Sequence, residues 1–196
     1  MKIYLIRHGM TPGNKLRQYI GSTDEPIIES GFSAPKEIEN PEAKKKVYVT
    51  PLIRTQQTAK QMFPNAEQEI VYGLREIDFG VFEQKSYEDL KDREDYQAWL
   101  NDQINYVCPG GESMAMFSER INDSFIEILK DNLGKTDEII IVCHGGILMG
   151  LLSSYGEPHK DFYEYQIKNR CGYMCDLEFT DEEKFEFKLV NLVPIA

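Results

Sequence analysis

The sequence is poor in the residues that metal and redox sites require. Its four cysteines are Cys108, Cys143, Cys171 and Cys175. Its three histidines are His8, His144 and His159. The cysteines lack the spacing of a zinc site, and no histidine forms a His-x-His or Glu-x-x-His pair. We therefore expect neither a catalytic metal nor another cofactor, and we expect the thiols to stay reduced.

Long apolar runs and an excess of positive charge are also missing. No apolar stretch approaches the length of a membrane span, and no cationic segment precedes an apolar one near the first residue. Acidic residues outnumber basic ones by 33 to 22, which gives a net charge of −11. Such a charge argues against binding to nucleic acids or acidic membranes. We expect a cytoplasmic protein in which an anionic substrate needs a local positive pocket.

Several widespread catalytic motifs are absent. A cysteine phosphatase carries an arginine six residues after its cysteine, and here those positions hold Met114, Met149, Leu177 and Asp181. There is no Gly-x-x-x-x-Gly-Lys-Ser/Thr loop for nucleotide phosphates. Residues 111–115 lack the closing glycine of a serine-hydrolase elbow, and residues 145–146 are not a dinucleotide-binding motif. The chemistry must therefore come from other residues.

The first ten residues contain the most informative pattern. Residues 2–6 are apolar, which predicts a strand buried on both faces. Arg7 and His8 follow directly, and the strand is broken at Gly9. Because ligands bind at the carboxyl ends of the strands in open α/β sheets, Arg7 and His8 lie where a binding site is expected.

Strands and helices alternate along the chain. Further strands are predicted at residues 46–49, 70–72 and 139–142. Helices are predicted within residues 30–40, 55–62, 83–101 and 113–129, the last with Ser113 as its N-cap. Residues 172–179 and 184–193 are typical of a terminal hairpin. The alternation predicts an α/β fold with a largely parallel central sheet.

Four predicted strands end close to residues that suit phosphoryl transfer. These residues are Arg7, His8, Arg54, Glu76 and His144. If the strands are parallel neighbours, their carboxyl ends bring all five side chains to one rim. Arginine forks match phosphate oxygens, a neutral imidazole can attack phosphorus, and a carboxylic acid can protonate a leaving oxygen. Two arginines and a histidinium would hold a dianion against the negative charge of the protein.

Taken alone, each of these residues also has an ordinary structural interpretation. Arg54 and Glu76 could form a surface ion pair, and His144 could be a core histidine. Thr58 is predicted to make a hydrogen bond within a helix and not to bind a ligand. For Glu112, a charge at a helix start and a role at the site are both open.

Six motifs in order resemble the histidine phosphatase superfamily, also called phosphoglycerate-mutase-like. They are Arg7-His8-Gly9-x-Thr11-x-x-Asn14, Gly21-Ser22-Thr23-Asp24-x-Pro26, Pro51-Leu52-x-Arg54-Thr55-x-Gln57-Thr58-Ala59, Leu74-x-Glu76-x-Asp78-Phe79-Gly80, Pro109-x-Gly111-Glu112-Ser113 and Val142-x-His144-Gly145-Gly146. They follow the family order from residue 3 to about residue 150, which makes a chance match negligible.

The resemblance implies a role for each residue of the set. His8 would be the nucleophile that becomes phosphohistidine, and Glu76 would be the general acid and later the base for water. The implied phosphate-binding residues are Arg7, Asn14, Gly21, Arg54, His144 and Gly145. The implied fold has three layers, with residues 1–196 as one domain, a mostly parallel central sheet flanked by helices, and a helical lid at about residues 83–109.

The family includes mutases and phosphatases, and its phosphatases often have Phe-Gly-x-Trp-Glu-Gly after the acid. This chain departs from that motif, with Phe79-Gly80-Val81-Phe82-Glu83-Gln84. A mutase holds a bisphosphate with a lysine after the acid and an arginine pair in the lid. Tyr87, with Lys85 nearby, and Leu100-Asn101 stand at those places here. The resemblance therefore favours a phosphatase.

We expect a metal-independent, acid-type histidine phosphatase that hydrolyses a small phosphorylated metabolite. It resembles most the branch of α-ribazole-phosphate and broad-specificity phosphatases. The alternative enzyme is a 2,3-bisphosphoglycerate-dependent phosphoglycerate mutase. The alternative outside enzymes is a phosphate-sensing scaffold with a dead site.

Overall fold

Six strands form one sheet in the computed structural model, which describes residues 1–196. The strands are β1 (Lys2–Arg7), β2 (Lys46–Val49), β3 (Glu67–Ile70), β4 (Glu138–Cys143), β5 (Gly172–Asp181) and β6 (Glu186–Ile195). Their order across the sheet is β3-β2-β4-β1-β5-β6. The first four strands of that order are parallel, and β5 and β6 extend the sheet as an antiparallel hairpin. The predicted α/β class and mostly parallel sheet are confirmed.

Six α-helices connect or flank these strands. They are α1 (Pro12–Lys15), α2 (Ile53–Met62), α3 (Tyr87–Leu90), α4 (Glu94–Asn101), α5 (Met114–Asn132) and α6 (Gly145–Tyr155). Short 3₁₀ turns lie at Pro41–Ala43, Tyr72–Leu74, Gly80–Phe82 and Phe162–Tyr165. The Ser113 hydroxyl accepts a hydrogen bond of 3.3 Å from the Met116 N–H, which confirms the predicted N-cap of α5.

Alternate side chains of the central strand β4 pack on opposite faces of the sheet. Ile139 and Ile141 join the apolar cluster of α5 and α6, whereas Ile140 and Val142 join the cluster of α2. Because both faces are covered, all four side chains are buried. The molecule therefore has three layers, as predicted, and the carboxyl ends of the parallel strands open at one edge.

Residues 83–101 form two short helices instead of one. Leu90, Tyr96 and Trp99 are all buried in an aromatic cluster with Phe82 and Cys108. In one continuous helix Leu90 and Tyr96 would lie about 120° apart, because each residue advances about 100° around the axis. The break between α3 and α4 lets both side chains enter the same cluster.

Two other sequence predictions need correction. No helix forms within residues 30–40, where Gly31 is left-handed with φ 74° and Pro35 cannot donate a backbone hydrogen bond. The strand predicted at residues 70–72 starts earlier and ends at Ile70, because its partner β2 ends at the same level of the sheet.

Candidate active site

The carboxyl ends of β1, β2 and β4 bring together the residues that the sequence singled out. Arg7 ends β1 and His8 follows it, while His144 lies between β4 and α6. Arg54 is in the first turn of α2, which follows β2. The rings of His8 and His144 have centroids 5.2 Å apart. The expected rim is therefore formed, and the fifth residue, Glu76, reaches it from the loop after the 3₁₀ turn Tyr72–Leu74.

His8 is held in the form that can attack phosphorus. The ring is 4% exposed, and its Nδ1–H donates a hydrogen bond of 2.7 Å to the carbonyl of Gly9. That bond fixes the proton on Nδ1 and leaves the lone pair on Nε2. Burial, with the nearby Arg54 guanidinium, lowers the pKa of His8 well below its usual 6.5. His8 is therefore a neutral base at neutral pH.

His144 is also neutral, which corrects the expectation of a histidinium. Arg54 Nε–H donates to its Nδ1 at 3.2 Å, so the ring proton lies on Nε2 and is donated to Thr50 Oγ1 at 2.9 Å. Burial and the adjacent Arg54 lower the pKa of His144 well below its usual value. Its structural role is to orient the guanidinium of Arg54, and positive charge comes from the two arginines.

Arg54 is fully buried, with its guanidinium clamped on three sides. Besides the bond to His144, its Nη1 donates to the carbonyl of Thr23 at 2.7 Å and its Nη2 to the carbonyl of Gly21 at 2.8 Å. A guanidinium carries five N–H donors, so two remain for an anion. Burial lowers the pKa of Arg54, and the nearby carboxyl of Glu76 opposes that shift.

Arg7 has the larger number of free donors. Its Nη1 donates to the carbonyl of Ile167 at 2.8 Å, while its buried Nε has no hydrogen-bond partner in the protein. A Cβ at Gly145 would lie 3.4 Å from that Nε, so the backbone of α6 closes on the guanidinium. A buried N–H without an acceptor is costly, and a bound phosphate oxygen would satisfy it.

Glu76 is 8% exposed and is placed by backbone amides. Its Oε2 accepts a hydrogen bond of 3.0 Å from the N–H of Gly146, and its Oε1 accepts one of 3.1 Å from that of Ile77. A Cβ at Gly146 would lie 2.4 Å from Glu76 Oε1, so only glycine admits the carboxyl group there. Burial outweighs these bonds and raises the pKa of Glu76 above its usual 4.5.

The two remaining predicted residues differ in how they relate to the site. Asn14 Oδ1 accepts from Asn169 Nδ2 at 3.1 Å, and the same Nδ2 donates to the carbonyl of His8 at 3.0 Å. Asn14 thus lines the site beside His8. Gly21 has its N–H bound by the Glu83 carboxylate and its carbonyl bound by Arg54, so both its polar groups are engaged within the protein.

Two further residues that the sequence singled out, Thr58 and Glu112, support the site, and Thr58 makes the predicted hydrogen bond within its helix. The Thr58 hydroxyl accepts a hydrogen bond of 2.8 Å from the N–H of Gly9 and donates one of 2.7 Å to the carbonyl of Arg54. It therefore links the segment that follows Arg7 to the first turn of α2, which contains Arg54. Glu112 is ion-paired with Arg120, whose Nη1 donates to the carbonyl of Arg75 at 2.9 Å. Glu112 therefore supports the loop that carries Glu76. The sequence had left open whether Glu112 is a charge at a helix start or has a role at the site.

A cavity of about 360 Å³ opens beside these groups. Arg7, Asn14 and Glu76 are among its polar lining residues, together with three glutamines. Its walls are mainly apolar and include Tyr19, Phe79, Trp99, Met114, Met149 and Phe162. The arrangement suits a small molecule with one strongly anionic group and a largely apolar remainder.

The structure shows neither a membrane-spanning helix nor a cluster of metal-binding side chains. No helix has the length and apolar character needed to cross a bilayer. No three side chains among His, Cys, Asp and Glu come together in a way that would hold a metal ion. The polar groups at the site are mainly N–H donors, which suit an anion.

Comparisons with known proteins show which family and which relatives this chain is similar to. The family model of the histidine phosphatase superfamily (branch 1) matches residues 3–192. Adenosylcobalamin/alpha-ribazole phosphatase of Salmonella typhimurium is 28% identical over 185 residues, which are 90% of this chain and 91% of that protein. An Enterobacter protein named "Probable phosphoglycerate mutase GpmB" is 31% identical over 165 residues, covering 79% of this chain and 74% of its own.

A solved structure agrees with these sequence matches. The alpha-ribazole phosphatase from Shigella flexneri superposes with a TM-score of 0.76 at 26% identity, over 96% of this chain and 94% of that one.

Proposed function

Because the chain belongs to branch 1 of the histidine phosphatase superfamily, we propose that it is a phosphomonoesterase that works through a phosphohistidine on His8. Its substrate is a small phosphorylated metabolite. The observation that carries the proposal is the free, unprotonated Nε2 of a buried His8 near Arg7 and Arg54, with a buried Glu76 near the same two arginines. A phosphatase activity of this type needs no resident cofactor.

In the first step, Nε2 of His8 attacks phosphorus and the bond from phosphorus to the ester oxygen breaks. The leaving oxygen takes the proton of Glu76, whose raised pKa keeps a proton available. Arg7 and Arg54 hold the phosphoryl oxygens through their free N–H groups and stabilise the charge that spreads over them. The products are an alcohol, which leaves, and a phosphohistidine.

In the second step, water attacks the phosphohistidine. Glu76, now a carboxylate, accepts a proton from that water, and the bond from nitrogen to phosphorus breaks with its electron pair returning to Nε2. Inorganic phosphate leaves, and His8 and Glu76 regain their starting protonation states. Asn14, Gly145 and His144 complete the proposed site, His144 through the bond that it accepts from Arg54.

The substrate proposal follows from the cavity and from the names of the relatives. An aromatic and apolar wall suits a phosphate ester whose organic part is neutral and flat, and α-ribazole phosphate is the first compound to test. Residues 83–109 form the proposed lid, whose aromatic cluster places Trp99 on the cavity wall.

The pH dependence of kcat/KM should have a descending alkaline limb that belongs to Glu76. His8 must be neutral to attack, and because its pKa is lowered, that condition holds well into the acidic range. Glu76 must be protonated to act as the acid, so activity falls as pH rises through its raised pKa. Profiles of wild type and Glu76→Gln on one substrate separate this limb from the titration of the substrate itself. An identical alkaline limb in both proteins would contradict the assignment.

The phosphate should pass to water and not to a second hydroxyl group. Lys91 and Arg93, which lie in the proposed lid, are ion-paired with Glu88 and Asp95, so they are not free to hold a bisphosphate. We expect 3-phosphoglycerate with a trace of 2,3-bisphosphoglycerate to yield inorganic phosphate slowly and little 2-phosphoglycerate. Hydrolysis of p-nitrophenyl phosphate in parallel shows that the enzyme is active and excludes a scaffold with a dead site. Interconversion of the monophosphates far faster than phosphate release would establish the mutase instead.

A further inference from the structure

The carboxylate of Glu83 collects an unusual number of hydrogen bonds from one loop. It accepts from the N–H groups of Gly21 at 3.0 Å, Ser22 at 2.9 Å and Thr23 at 3.3 Å, and from the Thr23 hydroxyl at 2.5 Å. It also accepts from the N–H of Phe79 at 3.1 Å. One side chain therefore joins residues 21–23 to the turn that follows Glu76.

The opposite side of the same loop holds Arg54. The carbonyls of Gly21 and Thr23 accept the two Nη groups of Arg54, at 2.8 and 2.7 Å. Gly21 C=O and Ser22 N–H belong to one peptide group, which therefore lies between the Arg54 guanidinium and the Glu83 carboxylate. A peptide polarised by opposite charges at its two ends makes stronger hydrogen bonds at both.

Residues 21–23 pack closely against the segment that carries Glu76. A Cβ at Gly21 would lie 1.7 Å from the carbonyl oxygen of Ile77, so the loop packs backbone to backbone against the segment that carries Glu76. Without the carboxylate, three N–H groups lose their acceptor and the two carbonyls that aim Arg54 lose their anchor.

We infer that Glu83 is a positioning residue for Arg54, which it orients and keeps in place through the Gly21–Ser22 peptide. Glu83 touches neither the substrate nor His8 in this scheme. The inference rests on the proposed function, since Arg54 is taken to hold the phosphoryl group. The nearby negative charge of Glu83 also favours the charged form of Arg54 and opposes the lowering of its pKa by burial.

A double-mutant cycle with Glu83→Gln and Arg54→Lys tests the inference. Lysine keeps the charge of Arg54 but cannot bind both carbonyls as a fork. We expect Glu83→Gln to lower kcat/KM about tenfold or more in wild type and less than about threefold in the Arg54→Lys background. The inhibition constant for inorganic phosphate should rise in wild type and stay nearly constant in the Arg54→Lys background. Equal losses in both backgrounds would overturn the inference.

Controls separate positioning from folding and from the proposed reaction. Asp181 also accepts loop N–H groups, from Glu183 and Lys184, but it is the last residue of β5, far from residues 21–23 in sequence. We expect Asp181→Asn to lower the melting temperature about as much as Glu83→Gln does, and to leave kcat/KM unchanged. If Glu83→Gln does not fold, Thr23→Val can replace it, because this change removes one bond to Glu83. Thr23→Val should lower kcat/KM about two- to fivefold in wild type and less in the Arg54→Lys background. No loss in Thr23→Val would then overturn the inference.

A failure of the proposed function would look different. In that case the wild type hydrolyses no phosphate ester. The dissociation constant of inorganic phosphate is then measured by calorimetry for each variant of the same cycle. A cycle that is non-additive in phosphate binding would support the role of Glu83 even then, and an additive one would overturn it.

Discussion

Replacing His8 with alanine is expected to abolish turnover. In the proposed mechanism the unprotonated Nε2 of His8 attacks the phosphoryl group, which Arg7 and Arg54 are proposed to hold. Without it the two-step route is lost, and we expect kcat to fall by roughly 10³-fold or more. The measurement is steady-state hydrolysis of p-nitrophenyl phosphate, because its leaving group needs no acid.

The matched control is His159→Ala, since His159 is the third histidine of the chain and is exposed. It should keep wild-type activity. Circular dichroism and melting should show that His8→Ala still folds, because removing a ring of this size leaves the sheet and its clusters intact. Retention of more than a tenth of the wild-type rate in a folded His8→Ala protein would remove His8 from the nucleophile role.

Replacing Glu76 with glutamine is expected to slow alkyl phosphates far more than aryl phosphates. Glutamine is similar in shape but cannot donate the proton that an alkoxide needs, and general-acid catalysis contributes roughly 10²–10⁴-fold. For p-nitrophenyl phosphate the leaving group departs without a proton, so the loss should be much smaller in the first step. The measurement is kcat/KM on the two substrate types, which reports the first irreversible step.

Glu119→Gln is the control for this comparison, because Glu119 is an exposed carboxylate on α5. It should leave both substrates unaffected. Equal losses on alkyl and aryl esters in Glu76→Gln would show that Glu76 does not protonate the leaving group. It would then act only through the structure of the loop that Arg120 holds.

The residues that are proposed to attack and bind phosphate could be predicted because strand ends are visible in the sequence. Apolar runs of β1 and β4 mark two parallel neighbours, and whatever follows them must meet at one edge. Arg7, His8 and His144 could be identified in this way. Arg54 was predicted in the turn after β2, and the structure has it in the first turn of α2.

The supporting contacts could not be predicted in the same way. Thr50 and Asn169 bind His144 and the His8 segment across long sequence separations, and nothing in their local sequence distinguishes them. The neutral state of His144 depends on the direction of a single bond from Arg54, which only the tertiary structure fixes. Glu83 was visible in a family motif, but most of its hydrogen bonds come from residues 21–23, about sixty residues away in sequence.

The break between α3 and α4 could not be predicted from the local sequence either. Polar, helix-favouring residues fill 83–101, and local propensity alone extends one helix through them. The requirement that Leu90, Tyr96 and Trp99 share one cluster overrides that propensity and breaks the helix. Such a break depends on which side chains must meet, and that information is spread over the whole fold.

The most direct test of the account is to trap the phosphoryl group on the enzyme. Rapid quench into alkali after mixing with a phosphate-labelled substrate should capture a label that is stable to base, lost in acid, and located on His8 by mass spectrometry. The account predicts labelling of the wild type and of His159→Ala, and none of His8→Ala. Full turnover with no label at any quench time, or a label on another residue, would contradict it.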